Sequence, residues 1–175
     1  CVSCNIVRDP AFVEVTATPV QVPAAVTTPE VPLPVSVLRP ANYEVARQVE
    51  SFWTYTEFVD MQTPGEQIYE VTIPPVVHRQ SFSWCADSAE RLQEILGQIN
   101  VAFFIDGIQL DNSLILETDE GICHQWDTIL DGWQVGQTVE AAIMYTINAP
   151  IFDGILDYEP GTYIHRILVT VANPQ

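Results

Sequence analysis

Lysine is absent from this chain, glycine is scarce, and no apolar run is long. Six arginines stand against 23 aspartates and glutamates over 175 residues, a formal charge of −17. Duplex nucleic acid and anionic membrane surfaces draw their affinity from basic side chains meeting phosphates, so this charge balance excludes both as partners. The longest apolar stretches, such as residues 101–105, fall far short of the ~20 residues that cross a bilayer as a helix. Catalytic signatures are missing too. No Gly-x-Ser-x-Gly elbow occurs, and no cysteine sits in a context that would lower its pKa. With 23 carboxylates any pairing for sugar hydrolysis can be imagined, so none is informative. The expectation is a protein that is not an enzyme.

What is there divides at residue 40. Residues 1–40 hold seven of the 13 prolines, none of the eight glycines and a single aromatic residue, Phe12. Valine and threonine fill the spaces between the prolines. Each proline removes a backbone donor and pushes the preceding residue into extended geometry, so this segment is not helical. It is expected to be an extended tail. Residues 41–175 carry every other aromatic residue, all the glycines, and four arginines against 20 acids, and are expected to form one domain of ordinary size.

Four cysteines permit three complete pairings. Cys85 and Cys123 both lie in the globular part, with Trp84 and Trp126 nearby, and a buried bridge between them is the economical expectation. Such a bridge belongs in an oxidising compartment. Cys1-Val2-Ser3-Cys4 has the spacing of redox and metal motifs, yet neither a strand-to-helix context nor two further ligands accompany it. A local Cys1–Cys4 disulfide, a link between subunits and a lipid on Cys1 are the alternatives. A chain that opens on Cys1 has the form of a secreted protein freed of its signal.

Period-two alternation marks the strands. Ile68 to Ile73, residues 99–105 and Val139 to Ile147 alternate, and Asp106-Gly107 supplies a hairpin turn because both positions tolerate positive φ. Asp119-Glu120-Gly121 reads as another turn. Ser88, early acids and Gly97 bracket one short helix, with Leu92, Ile95 and Leu96 on one face. Residues 43–53 are ambiguous between helix and strand. The closing run Pro160-Gly-Thr-Tyr-Ile-His-Arg-Ile-Leu-Val-Thr-Val171 is similar to the last strand of bacterial immunoglobulin-like surface domains. Short strands with regular turns favour an all-β fold, an antiparallel immunoglobulin-like β-sandwich with one short connecting helix behind an extended proline-rich tail.

No cofactor or metal is expected. His78, His124 and His165 lack paired ligand spacing. Asp153, Asp157 and Glu159, or Glu117, Asp119 and Glu120, offer calcium-type oxygens without an EF-hand pattern. Trp53, Trp84, Trp126 and Trp133 are expected in the core and its rim, with a sugar-stacking platform as the alternative. The tail loosely resembles the extensions by which donor-strand pilins assemble. That resemblance implies a secreted structural subunit of an extracellular filament, which polymerises with itself by adding Val13, Val15, Val20, Val22, Val35 and Val37 to a neighbour's open sheet edge. The alternative is a surface β-sandwich held to a membrane by lipid on Cys1, a binding or adhesion domain with carbohydrate among its candidate ligands.

Overall fold

The computed structural model describes residues 33–173. Cys1, Cys4, Val13, Val15, Val20 and Val22 lie outside them. In chain order the described elements are β1 (Ser36–Leu38), α1 (Tyr43–Arg47), β2 (Gly65–Ile73), β3 (His78–Cys85), α2 (Ala89–Leu96), β4 (Ile99–Ile105), β5 (Ile108–Gln109), β6 (Leu116–Glu120), β7 (Cys123–Asp131), β8 (Thr138–Ile147), β9 (Ile151–Phe152), β10 (Asp157–Tyr158) and β11 (Gly161–Val171). The fold is all-β, with helices confined to connections.

Two sheets supply the core. The larger runs β2-β11-β8-β4-β5, and the smaller has β7 between β3 on one side and both β1 and β6 on the other. A two-stranded β9–β10 ribbon stands apart. Alternation in sequence becomes alternation of burial: Tyr163, His165, Ile167, Val169 and Val171 of β11 are buried together with Val139, Ala141, Ile143, Tyr145 and Ile147 of β8. From the smaller sheet, Phe82, Trp84, Trp126 and Leu130 join the same apolar cluster. Each large apolar side chain so buried contributes about 1.5–3 kcal/mol, and the two inward faces hold the sheets together.

Among the described strands the expected antiparallel order holds for every pairing except one: β2 runs parallel to β11, with Gly65 opposite Tyr163 and Ile73 opposite Val171. The pair joins strands far apart in the chain, so the long connection that parallel pairing requires costs nothing extra. Among the described residues two α-helices form in place of one. Ser88 caps α2 by accepting from Arg91 N at 3.2 Å, as its sequence implies. Asn42 caps the five-residue α1, after which Phe52–Thr54 makes a turn of 3₁₀ helix. The Asp106-Gly107 turn is present, both residues having positive φ, while the later turn moves to Gly121-Ile122 because β6 extends through Glu120.

The boundary expected at residue 40 lies earlier. Ser36, Val37 and Leu38 pair antiparallel with Asp131, Leu130 and Ile129 of β7, and Val35 is buried. Val35 and Val37 therefore belong to their own domain's sheet and core margin. Cys85 and Cys123 are bonded, at opposite positions on β3 and β7. The bridge joins neighbouring strands at the end of a ladder; Cys85 is exposed and Cys123 half-buried, which corrects the expectation of a buried link. A disulfide fits the oxidising compartment inferred from the sequence.

Candidate functional site

Along β3, His78, Gln80, Phe82 and Trp84 are buried while Arg79, Ser81 and Ser83 are not. Serines at two successive outward positions leave the surface low and polar. Ser83 lies opposite Gln125 of β7, and Ser81 opposite Asp127. Around this floor stand Tyr43 and Arg47 of α1, and Trp53 and Phe58 of the segment leading into β2. Together they enclose a groove of about 560 Å³.

The walls are fixed by specific bonds. Trp53 donates its indole N–H to the Ser81 carbonyl at 2.7 Å, which holds its ring upright beside β3. Ser51 caps the 3₁₀ turn, accepting from Trp53 N at 3.3 Å, and its hydroxyl meets that of Ser81 at 3.0 Å. Phe58 sits edge-on to Trp53 with ring centroids 5.0 Å apart and is 39% exposed, an unusual position for a phenylalanine in contact with a core. On the opposite wall the Tyr43 hydroxyl donates to Glu120 and accepts from Gln125 Nε2, while the Arg47 guanidinium lies 5.5 Å over its ring.

Behind Phe58 lies His165, fully buried on β11, its ring 4.6 Å from Phe58 and stacked on Tyr69 and Tyr145. Its Nδ1 meets the Tyr69 hydroxyl at 3.0 Å, and its Nε2 has no partner. Burial pushes its pKa down to about 4. A neutral imidazole thus completes an aromatic stack under the groove wall. Under the floor, Arg79 reaches Asp127 at 3.4 Å. Asp127 is buried with neither oxygen hydrogen-bonded, and desolvation raises its pKa to about 6 against the opposing pull of Arg79.

Beyond Phe58 a second, smaller cavity adjoins the groove and shares Phe58, Phe82 and Ser83 with it. There the Tyr158 hydroxyl lies 2.9 Å from Asp60 Oδ2 and 3.2 Å from Asp153 Oδ2. Desolvation, and then the bond to Asp60, raises the Tyr158 pKa; desolvation likewise raises that of Asp60. Asp153 is held from behind by Ile155 N and Leu156 N, both donating to its Oδ1. The next residue must be glycine. Gly154 has φ +107°, and a Cβ there would stand 2.4 Å from Asp87.

Of the candidates read from sequence, Trp84, Trp126 and Trp133 are buried, and only Trp53 reaches the groove among the four. His124 pairs with Asp119 at 2.6 Å and with Glu117 at 3.6 Å. Asp157 and Glu159 do not join Asp153 in a cluster; among the described residues no three of His, Cys, Asp and Glu are grouped to hold a metal. Phe58, Asp60, Ser81, Ser83 and Gln125 carried no motif; only Ser81 and Ser83 had a signal, the alternation of polar and apolar residues in Ser81-Phe-Ser-Trp84. No protein-family model matches the chain, and no curated protein matches it in sequence.

Proposed function

We propose that this is a non-enzymatic extracellular binding domain, an immunoglobulin-like sandwich whose groove takes a saccharide. The observation that carries the reading is the pairing of aromatic walls with a hydroxyl and amide floor. Trp53, Phe58 and Tyr43 offer apolar ring faces, while Ser83, Gln125 and Arg79 present donors and acceptors beneath them. A sugar ring has that same division, with apolar C–H faces and a polar rim, and binding sites in general combine apolar walls with a few placed polar groups. The surrounding negative charge favours a neutral sugar over an anionic one.

Titration calorimetry with neutral oligosaccharides tests this directly. Trp53→Ala and Phe58→Ala should each weaken binding at least tenfold while circular dichroism stays that of the parent. No heat from the parent chain with any such sugar would end the reading.

A second reading, the self-assembling filament subunit, is favoured by one observation. β2 is nine residues long and pairs only with β11, so its other edge is open among the described residues. Such an edge accepts an added strand. The donor would be Val13, Val15, Val20 and Val22, since Val35 and Val37 lie by β7 of the same chain. Replacing Val13 and Val15 by aspartate should then abolish polymers seen in negative stain; polymers that persist would reject this assembly.

A further inference from the structure

The outward face of the larger sheet is not the solvated face that an antiparallel sheet usually turns to water. One cross-strand row reads Ile164, Met144, Ala102, and the next reads Ile68, Arg166, Ala142, Phe104. Leu168 extends the apolar patch along β11. Ile68 is 52% exposed, while Phe104, Met144, Ile164 and Leu168 are half-buried. Polar residues close the patch at both ends: Thr162, Thr146 and Asn100 form one row, and Thr72, Thr170 and Thr138 the other. An apolar centre inside a polar rim is the anatomy of a protein interface. Neither described α-helix covers it, because α1 packs on β7 and α2 turns Leu92 and Ile95 into the core.

Ala142 makes a dent in this surface. Its small side chain among Phe104, Met144 and Ile164 leaves a hollow of about 140 Å³, which Glu140 and Arg166 also line. A hollow of that size takes one leucine- or phenylalanine-sized side chain, the kind of anchor that carries much of the binding energy of an interface. The charge around it has one sign in excess. Arg166 is already engaged by Glu66 and Glu140, and Glu70 stands beside Leu168 in the next row, so three carboxylates surround one guanidinium. The complementary occupant is apolar and carries positive charge. A second copy would bring its own acids against these, and residues 9–32 of this chain hold three acids and no basic side chain.

We propose that this face docks a cationic amphipathic helix of a partner protein, with one large apolar side chain seated over Ala142 and flanking lysines or arginines paired with Glu66, Glu70 and Glu140. A helix fits the dimensions. The four strands from β2 to β4 span roughly 15 Å at about 4.8 Å per interval, which is the length of about three helical turns. Apolar residues at helical spacing on such a partner would lie along the rows of the patch. This face belongs to the larger sheet, whereas the groove is built on β3 and β7 of the smaller one. The inference is therefore independent of the saccharide reading, and the domain has room for both ligands at once.

The test uses the full chain and two labelled synthetic peptides of leucine and lysine, followed by fluorescence anisotropy. One has its leucines on a single helical face; the other has the same composition scrambled so that no apolar face forms. The first should bind at least tenfold more tightly than the second, which measures attraction to the acidic surface alone. Met144→Glu and Ile164→Glu, at outward positions where a charge stays solvated, should each remove that advantage with the circular dichroism of the parent retained. Ala142→Leu, which fills the hollow without adding charge, should reduce it at least fivefold. Equal binding of the two peptides by the parent, or an advantage that survives both glutamates, overturns the proposal. A parent that sediments as a dimer and becomes a monomer on Met144→Glu overturns it too, since the face would then be covered by a second copy.

Discussion

Reducing the Cys85–Cys123 bridge is expected to lower the stability of the domain by about 4 kcal/mol on the chain-entropy account. The two cysteines are separated by 38 residues, and those residues include α2, β4, β5 and β6. Without the link, the unfolded chain regains the freedom of that whole loop. The folded state loses little, because β3 and β7 remain paired from His78 opposite Leu130 down to Trp84 opposite His124. The effect is therefore one on the unfolded ensemble, and it should appear as a fall in melting temperature on the order of 10 °C with unchanged circular dichroism at 25 °C. Because Cys85 is exposed, a mild thiol should suffice without denaturant. A Cys85→Ser, Cys123→Ser chain that melts with the parent would show that the ladder alone already fixes this corner.

How much of this was legible in the sequence depends on how local each feature is. β8 and β11 were readable because their buried and exposed residues alternate without interruption, and α2 because Ser88 and Gly97 bracket it. β1 was not, since prolines on both sides of Val35 to Leu38 read as tail and only the partner strand β7 turns those residues into sheet. The parallel pairing of β2 with β11 has no sequence signature, for register between distant strands is set by the folded core. The position of His165 could have been found: it falls in step with Tyr163, Ile167 and Val169, the inward set of β11. The groove could not, because Trp53 and Phe58 lie in a segment without period, and only the fold brings them beside Ser81 and Ser83. Asp127 was a signal passed over. A lone acid inside Trp126-Asp-Thr-Ile-Leu130 breaks an apolar run and demands a partner.

That partner gives the last expectation: Arg79→Leu should destabilise the domain by about 3–5 kcal/mol at pH 8, and by much less at pH 5. Asp127 is fully buried, and Arg79 is its ion-pair partner. Removing the guanidinium leaves a carboxylate without compensation, which must either remain ionised in an apolar setting or take up a proton. Keeping the proton in the folded state costs about 1.4 kcal/mol for each pH unit between the unfolded pKa and the folded one, and without Arg79 the folded value lies higher still, so the loss grows as pH rises toward it. The parent follows the same sign in milder form. A carboxyl raised from 3.8 to about 6 in the folded state is neutral in both states only well below 3.8, and its contribution to stability is lost as pH climbs from there to about 6 and changes no further above it. In the Arg79→Leu background, Asp127→Asn should restore most of the loss at pH 8, because an amide carries no charge to strand. Urea midpoints of the parent, the single variants and the double variant at pH 5 and pH 8 decide the matter. Equal destabilisation at both pH values without rescue by asparagine would assign the effect to the apolar stem of Arg79 packing against its neighbours, and the charge of Asp127 would then play no part in holding the floor of the groove.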